Sequence, residues 1–172
     1  SMQNLENDWN VLLKANFSDN IQLLRWGQSH RVYKVKEKVI KIEKIDDEKN
    51  PLNLGLKYEY KVLKLLKNTA YDLNPKFSRV NEIWEFLEIN FIEGELLSLN
   101  QSKKKLTINL YLRILWGLFI LSFKGIKYKQ FRGRHIIKSK NNLIKFIDFG
   151  QSEISNPIIS FFYNFKLFSI YH

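Results

Sequence analysis

Three short runs of β-forming residues stand almost end to end in the first third of the chain: Ile21–Trp26, Arg31–Lys36 and Lys38–Lys44. The breaks between them, Gly27-Gln28-Ser29-His30 and the tight turn around Glu37, leave room only for hairpins. A three-stranded antiparallel meander follows, and everything else in the chain has to pack around it.

Before the meander, Leu5, Trp9, Leu12 and Leu13 recur at helical spacing, so a short amphipathic helix is expected up to Ser18-Asp19-Asn20. After it, Asn50-Pro51 interrupts the chain and Leu56–Lys67 reads as a helix. Arg79–Phe86 and Leu87–Phe91 are two further strand candidates, ending at Ile92-Glu93-Gly94-Glu95. The second half differs in character. Thr107–Phe123 is a mostly apolar helix, expected to be buried over much of its surface, with Gly125 placed to terminate it. His135–Lys138 and Leu143–Ile147 flank the turn Ser139-Lys140-Asn141-Asn142, and a last helix is expected from about Pro157 through Phe168. The class is α+β, with no internal repeat.

A chain of 172 residues falls within the usual size of one domain, and 45% hydrophobic residues supply ample core. Twenty-eight Lys+Arg against seventeen Asp+Glu leave a formal charge of +11, a balance that attracts polyanions. An AT-rich genome would produce the same Lys, Asn and Ile usage, so charge alone decides nothing. There is no Cys, which excludes disulfides and thiolate metal sites and fits a reducing interior. No secretory leader is evident, and the longest apolar stretch, Ile114–Phe123, is too short to span a bilayer. A cytoplasmic protein without a membrane partner or a disulfide-linked one is expected.

The chemistry-bearing signals lie far apart in sequence. In Ile147-Asp148-Phe149-Gly150 an acidic residue leaves the end of an apolar strand, where a carboxylate can hold Mg²⁺ against phosphate oxygens while Gly150 lets the backbone turn away. Val39-Ile40-Lys41-Ile42 sets an ammonium between apolar neighbours on the third strand, poised for α- and β-phosphates. Glu59, eighteen residues on, lies in the next helix and can hold Lys41 extended. In the first hairpin turn, Gly27 and Ser29 offer backbone N–H groups to phosphate, although a plain hairpin turn accounts for the same residues. Taken singly, Lys41 and Glu59 are also what ordinary solvated charges look like, and strand-Asp-x-Gly turns are common.

In this order the pieces resemble the protein-kinase-like superfamily, in its minimal branch that includes the RIO-type kinases. The resemblance covers roughly residues 21 to 155 and adds a hinge at Phe91-Ile92-Glu93-Gly94-Glu95. It implies one compact kinase-like domain over residues 2–172, with an N-lobe (about 2–92) of antiparallel sheet plus helix and a reduced, mainly helical C-lobe (about 93–172). It implies ATP and Mg²⁺ as cofactors, with Phe91 and Ile92 beside the nucleotide. The catalytic-loop pattern His-x-Asp-x-x-x-x-Asn aligns with Tyr128-Lys129-Gln130-Phe131-Arg132-Gly133-Arg134-His135. Gln130 then stands where the base would be, and His135 where a metal-binding Asn would be. An amide has no accessible basic form, so either the chain is an inactive nucleotide-binding module or it runs the transfer differently.

Gly125–Gln130, Arg134-His135-Ile136-Ile137 and Phe146–Phe149 also look like segments of small archaeal RNA kinases that phosphorylate a ribose 2′-hydroxyl of the variable-loop uridine in tRNA. Phe149-Gly150 departs from that group, many members of which carry Glu after the Asp. The resemblance implies tRNA as substrate, with Lys41, Gln130, His135 and Asp148 catalytic, and Asp148 and His135 at the metal. Lys127, Lys129, Arg132, Arg134 and Lys138 crowd the stretch that would face the acceptor, which favours RNA. Lys57, Lys61, Lys64 and Lys67 form another basic stripe and Lys103-Lys104-Lys105 a third cluster. The alternatives are a RIO-type protein Ser/Thr kinase or ATPase, an inactive nucleotide-binding module and, last, a small-molecule phosphotransferase.

Overall fold

The computed structural model describes residues 11, 13–14, 17, 21–26, 31–45, 55–97, 107–129 and 135–171. The expected meander is present as β1 (Ile21–Trp26), β2 (Arg31–Val35) and β3 (Lys38–Lys44), each antiparallel to the next. Helix α1 (Gly55–Lys64) follows, then β4 (Lys76–Val80) and β5 (Trp84–Asn90). These complete a five-stranded antiparallel sheet in the order β1-β2-β3-β5-β4. Of the expected N-terminal helix, Leu5, Trp9 and Leu12 lie outside the described residues, while Val11, Leu13 and Lys14 are helical and Leu13 is fully buried.

Several boundaries differ from the sequence expectation, and two have a clear local cause. The run Arg79–Phe86 is not one strand, because Asn81 and Glu82 both take left-handed φ values of 53° and 56° and Ile83 N–H donates to the Val80 carbonyl. Such a turn usually advertises itself with Gly after Asn, and Glu82 hides it. Helix α1 stops at Lys64 rather than Lys67. The N–H groups of Leu65, Leu66 and Lys67 reach back only three residues, so the chain tightens out of the α-helix before Asn68 turns it at φ 64°.

The pleat sorts the side chains of the sheet. Tyr33, Val35, Ile40, Ile42, Trp84 and Phe86 cluster on one face with Leu13. Lys41 lies opposite Leu87, and Val39 opposite Ile89. Directly paired residues share a face, so Lys41 is turned with Leu87 and Ile89 toward α1 and the second half of the chain. There Leu56, Val62, Leu63 and Leu66 join Leu87 and Ile89 in a core that continues into Ile114, Leu118, Leu121, Tyr128, Phe146 and Phe149.

The second half contributes β6 (Gly94–Leu96), α2 (Ile108–Phe123), β7 (Ile126–Lys127), β8 (Ile136–Ser139), β9 (Ile144–Phe146), β10 (Glu153–Ile154) and α3 (Pro157–Tyr171). The β8–β9 hairpin turns at Asn142 (φ 57°) and adds β6 as a third strand, while β7 pairs with β10. Thr107 caps α2 by accepting from Leu110 N–H, and Gly125 at φ 75° closes it, a conformation glycine adopts without a Cβ penalty. Gly117 lets α2 approach the hairpin, for a Cβ there would overlap the Phe146 ring. The last helix runs past Phe168 to Tyr171.

Helix α2 is not buried over most of its surface. Ile114, Gly117, Leu118, Leu121 and Ser122 face inward, but Leu112 is 57% exposed and Trp116 61%. An apolar helix buries only the faces that meet a neighbour, and composition does not say how many neighbours there are. Among the described residues, no helix is long and apolar enough to cross a membrane.

Two leucines of this helix therefore differ in their contribution to folding. Leu118→Ala should cost about 2–5 kcal/mol by cavity formation, whereas Leu112→Ser should stay within about 0.5 kcal/mol, both read from urea unfolding midpoints.

Candidate functional site

Three ionisable side chains from β3, α1 and the segment after β9 meet below the five-stranded sheet. Lys41 Nζ donates to Glu59 Oε1 at 2.6 Å, and both side chains are buried, at 6% and 2% exposure. The same ammonium lies 3.9 Å from Asp148 Oδ1, on a side chain that is 15% exposed. Glu59 Oε1 also accepts from the Phe149 backbone N–H at 3.2 Å, tying α1 to the residue that follows Asp148. His135 Nε2 stands 3.4 Å from Asp148 Oδ2. Lys41, Glu59, Asp148 and His135 thus form one chain of contacts across residues far apart in sequence.

Local structure explains each placement. Lys41 is carried inward by the pleat of a strand covered on both faces. Glu59 sits on the buried side of α1 with Leu56, Val62 and Leu63. The N-terminus of that helix is anchored by Glu43 of β3, whose Oε2 accepts from Leu56 N–H at 3.2 Å. The left-handed residue at the end of the apolar strand is Asp148 itself, at φ 66°, and not Gly150, which was expected to make the turn. Asp tolerates this region better than most residues but still at an energetic cost, so the surrounding contacts hold it there.

One of those contacts comes from Tyr128, which is fully buried. Its hydroxyl reaches both the Ile147 and the His135 carbonyls, bridging the residue before Asp148 and the residue that faces it. Its ring lies between Phe146 and Phe149, with centroids 5.4 Å and 5.1 Å away. Burial, and then the negative charges of Asp148 and Glu59, push the Tyr128 hydroxyl well above its ordinary pKa. The Tyr128 backbone is held in turn by α3: Asn164 Oδ1 accepts from Tyr128 N–H at 2.8 Å, while its Nδ2 donates to Ile126 O and Ser122 Oγ. Sequence reading missed Tyr128 and Asn164 as site-forming residues. The available signal was Asn164 itself, an amide in a helix made mostly of apolar residues.

The other expected site residues fall into separate groups. Gly27, Ser29, Gln130, Arg132 and Arg134 lie outside the described residues, as do Lys103, Lys104 and Lys105. Phe91 lies between β5 and β6, its N–H donating to Glu37 O at 2.9 Å and its ring 3.8 Å from Lys34 Nζ. Ile92 packs against the main core. Lys127 and Lys129 share Glu153: Lys127 Nζ is 3.6 Å from Oε2 and Lys129 pairs with Oε1. The hydrogen bond from Lys129 is the chief reason the Glu153 carboxyl is held below its usual range. Lys138 lies opposite Glu95 on β8.

Lys41, Glu59 and Asp148 carry a combined charge of −1 when ionised, and Asp148 is the most open of the three. Among the described residues, no group of three or more His, Cys, Asp or Glu side chains converges to hold a metal ion. The donor set still fits Mg²⁺, which usually binds proteins through one or two carboxylates and keeps water or phosphate oxygens for the rest. The Asp148 carboxylate is the matching donor, and the imidazole of His135 suits softer metals better.

No family model matches the chain, and no curated protein matches it.

Because Lys41 and Glu59 are buried together, removing Glu59 takes away the nearest counter-charge of Lys41 and leaves it the longer contact to Asp148 at 3.9 Å. Glu59→Ala should destabilise the protein by about 3–5 kcal/mol, and adding Lys41→Ala should recover part of that loss, giving a clear coupling energy in a double-mutant cycle of urea midpoints.

Proposed function

We propose that this chain is a small kinase-like phosphotransferase that uses ATP and Mg²⁺ and transfers the γ-phosphate to an RNA ribose 2′-hydroxyl, with tRNA as the substrate. The observation that carries the proposal is the buried Lys41–Glu59 pair with Asp148 beside the same ammonium. Burying an ion pair rarely improves stability over apolar residues of the same size, so its presence calls for a role. A fixed ammonium next to an accessible carboxylate suits a triphosphate and its metal, and the strand, helix and post-strand origins of the three residues agree with the kinase-like order.

Bound Mg²⁺–ATP would supply the transferable phosphoryl group. In this proposal Lys41 neutralises α- and β-phosphate oxygens, Glu59 keeps it extended, and Asp148 provides the metal carboxylate. His135 is 2% exposed, so its task is to hold Asp148 from the far side rather than to touch an acceptor. Tyr128 and Asn164 keep that arrangement in place. Phosphoryl transfer demands mostly positioning and charge neutralisation, so a glutamine in the usual base position lowers the rate without abolishing it. The charge of +11 supports a polyanionic acceptor. The tRNA assignment comes from the sequence resemblance.

Incubation with γ-labelled ATP, an unmodified tRNA transcript and a generic protein acceptor checks the proposal. Label should enter the transcript, and Lys41→Met or Asp148→Asn should lower its rate at least about a hundredfold, the scale seen when one preorganised electrostatic group is lost. Label in protein alone would make the chain a protein kinase, and ATP-induced thermal stabilisation without transfer would make it an inactive nucleotide-binding module.

A further inference from the structure

Helix α1 has two faces of opposite character. Its inner face buries Leu56, Glu59, Val62 and Leu63. Its outer face carries Lys57, Lys61 and Lys64, all exposed, with Lys67 exposed in the turn beyond. Spacings of four and three residues put the three helical lysines in one row, successive side chains about 4.5–6 Å apart along the axis. The only acidic residue of the helix, Glu59, points the other way.

Counter-ions for the row are missing among the described residues. Among the described residues, no carboxylate lies within ion-pair distance of Lys57, Lys61, Lys64 or Lys67, and the one close partner is the Tyr60 ring, 5.4 Å from Lys64 Nζ. Some lysines elsewhere are matched, Lys38 with Glu88, Lys127 and Lys129 with Glu153, and Lys140 with Glu93, whereas none in the α1 row is paired with a described carboxylate. Like charges one turn apart weaken a helix, and this helix keeps them where a regularly charged polyanion would relieve the repulsion.

We propose that the outer face of α1 docks backbone phosphates of an RNA, an inference that rests on the RNA-acceptor proposal and extends it to a second surface. A row of ammonium groups a few ångströms apart fits a phosphodiester strand and releases its counter-ions without reading its sequence. The face lies on the far side of α1 from Glu59, about a helix diameter of 10–12 Å away. Because the same helix carries Glu59, phosphates held outside bear on the element that fixes Lys41 inside.

Binding of the full chain to an unmodified tRNA transcript, followed by fluorescence anisotropy over a salt series without ATP, tests the docking face. K57Q/K61Q/K64Q should lower the slope of log K against log salt by about 2–3, at 0.7–0.9 per lost phosphate contact. The charge-matched control K14Q/K36Q/K76Q, at exposed positions outside α1, should leave the slope nearly unchanged. Glutamine is a good helix former, and the single variant K61Q, with about a third of the effect, gives an independent reading should the triple variant unfold. An unchanged slope in the α1 variants overturns the inference, and so does an equal drop in the control, which would mean net charge alone. Loss of poly-glutamate binding with RNA binding intact would assign the face to an acidic protein and also overturn it. Because no ATP is present, a drop in slope stands even if the chain transfers no phosphate, so docking and catalysis fail separately.

Discussion

The ion pair between Lys41 and Glu59 is the contact around which the two halves of this protein are organised. Neither charge is solvated, so each depends on the other, and the Glu59 carboxylate also accepts from the Phe149 N–H. That second bond makes the pair more than a tie between a strand and a helix. It fixes the position of the segment containing Asp148, and so sets the distance between an ammonium on the sheet and a carboxylate contributed by the second half. A buried pair of this kind is intolerant of displacement, because moving either element away exposes an unmet charge to an apolar interior.

A second layer of polar contacts holds the far side of Asp148. Tyr128 bridges the carbonyls of His135 and Ile147, and Asn164 clamps the backbone on which Tyr128 sits. Tyr128 and Asn164 are deeply buried and each finds partners, the condition under which polar atoms stiffen a core rather than weaken it. The left-handed backbone of Asp148 is the strained point that this network maintains. The carboxylate is consequently held in place by its surroundings and not by local preference.

Much of the fold could be read along the chain because it rests on local patterns. Ile21–Trp26, Arg31–Val35 and Lys38–Lys44 pair as a meander should, Thr107 and Gly125 bracket α2, and Ser139–Asn142 makes the hairpin turn. The failures have local causes as well. Asn81-Glu82 turns the chain without the glycine that usually marks such a turn, and the end of α1 tightens without any helix-breaking residue. The open face of α2 was invisible because an apolar sequence states what a helix could bury, not what lies beside it.

Of the candidate site, the residue types and their order were legible: a lysine between apolar strand neighbours, a glutamate in the next helix, an aspartate at the end of an apolar strand. Those features depend on periodicity and on side-chain chemistry, which the sequence by itself determines. Tertiary structure alone decided that Lys41, Glu59, His135 and Asp148 touch, that Asp148 and not Gly150 takes the left-handed turn, and that Tyr128 and Asn164 support them. It also decided that Lys127 and Lys129 share Glu153, while among the described residues no carboxylate pairs with the lysines of α1. The physical reason is that a charge is defined by its neighbours, and neighbours as far apart in the chain as Lys41 and Asp148 are brought together only when the chain closes its core.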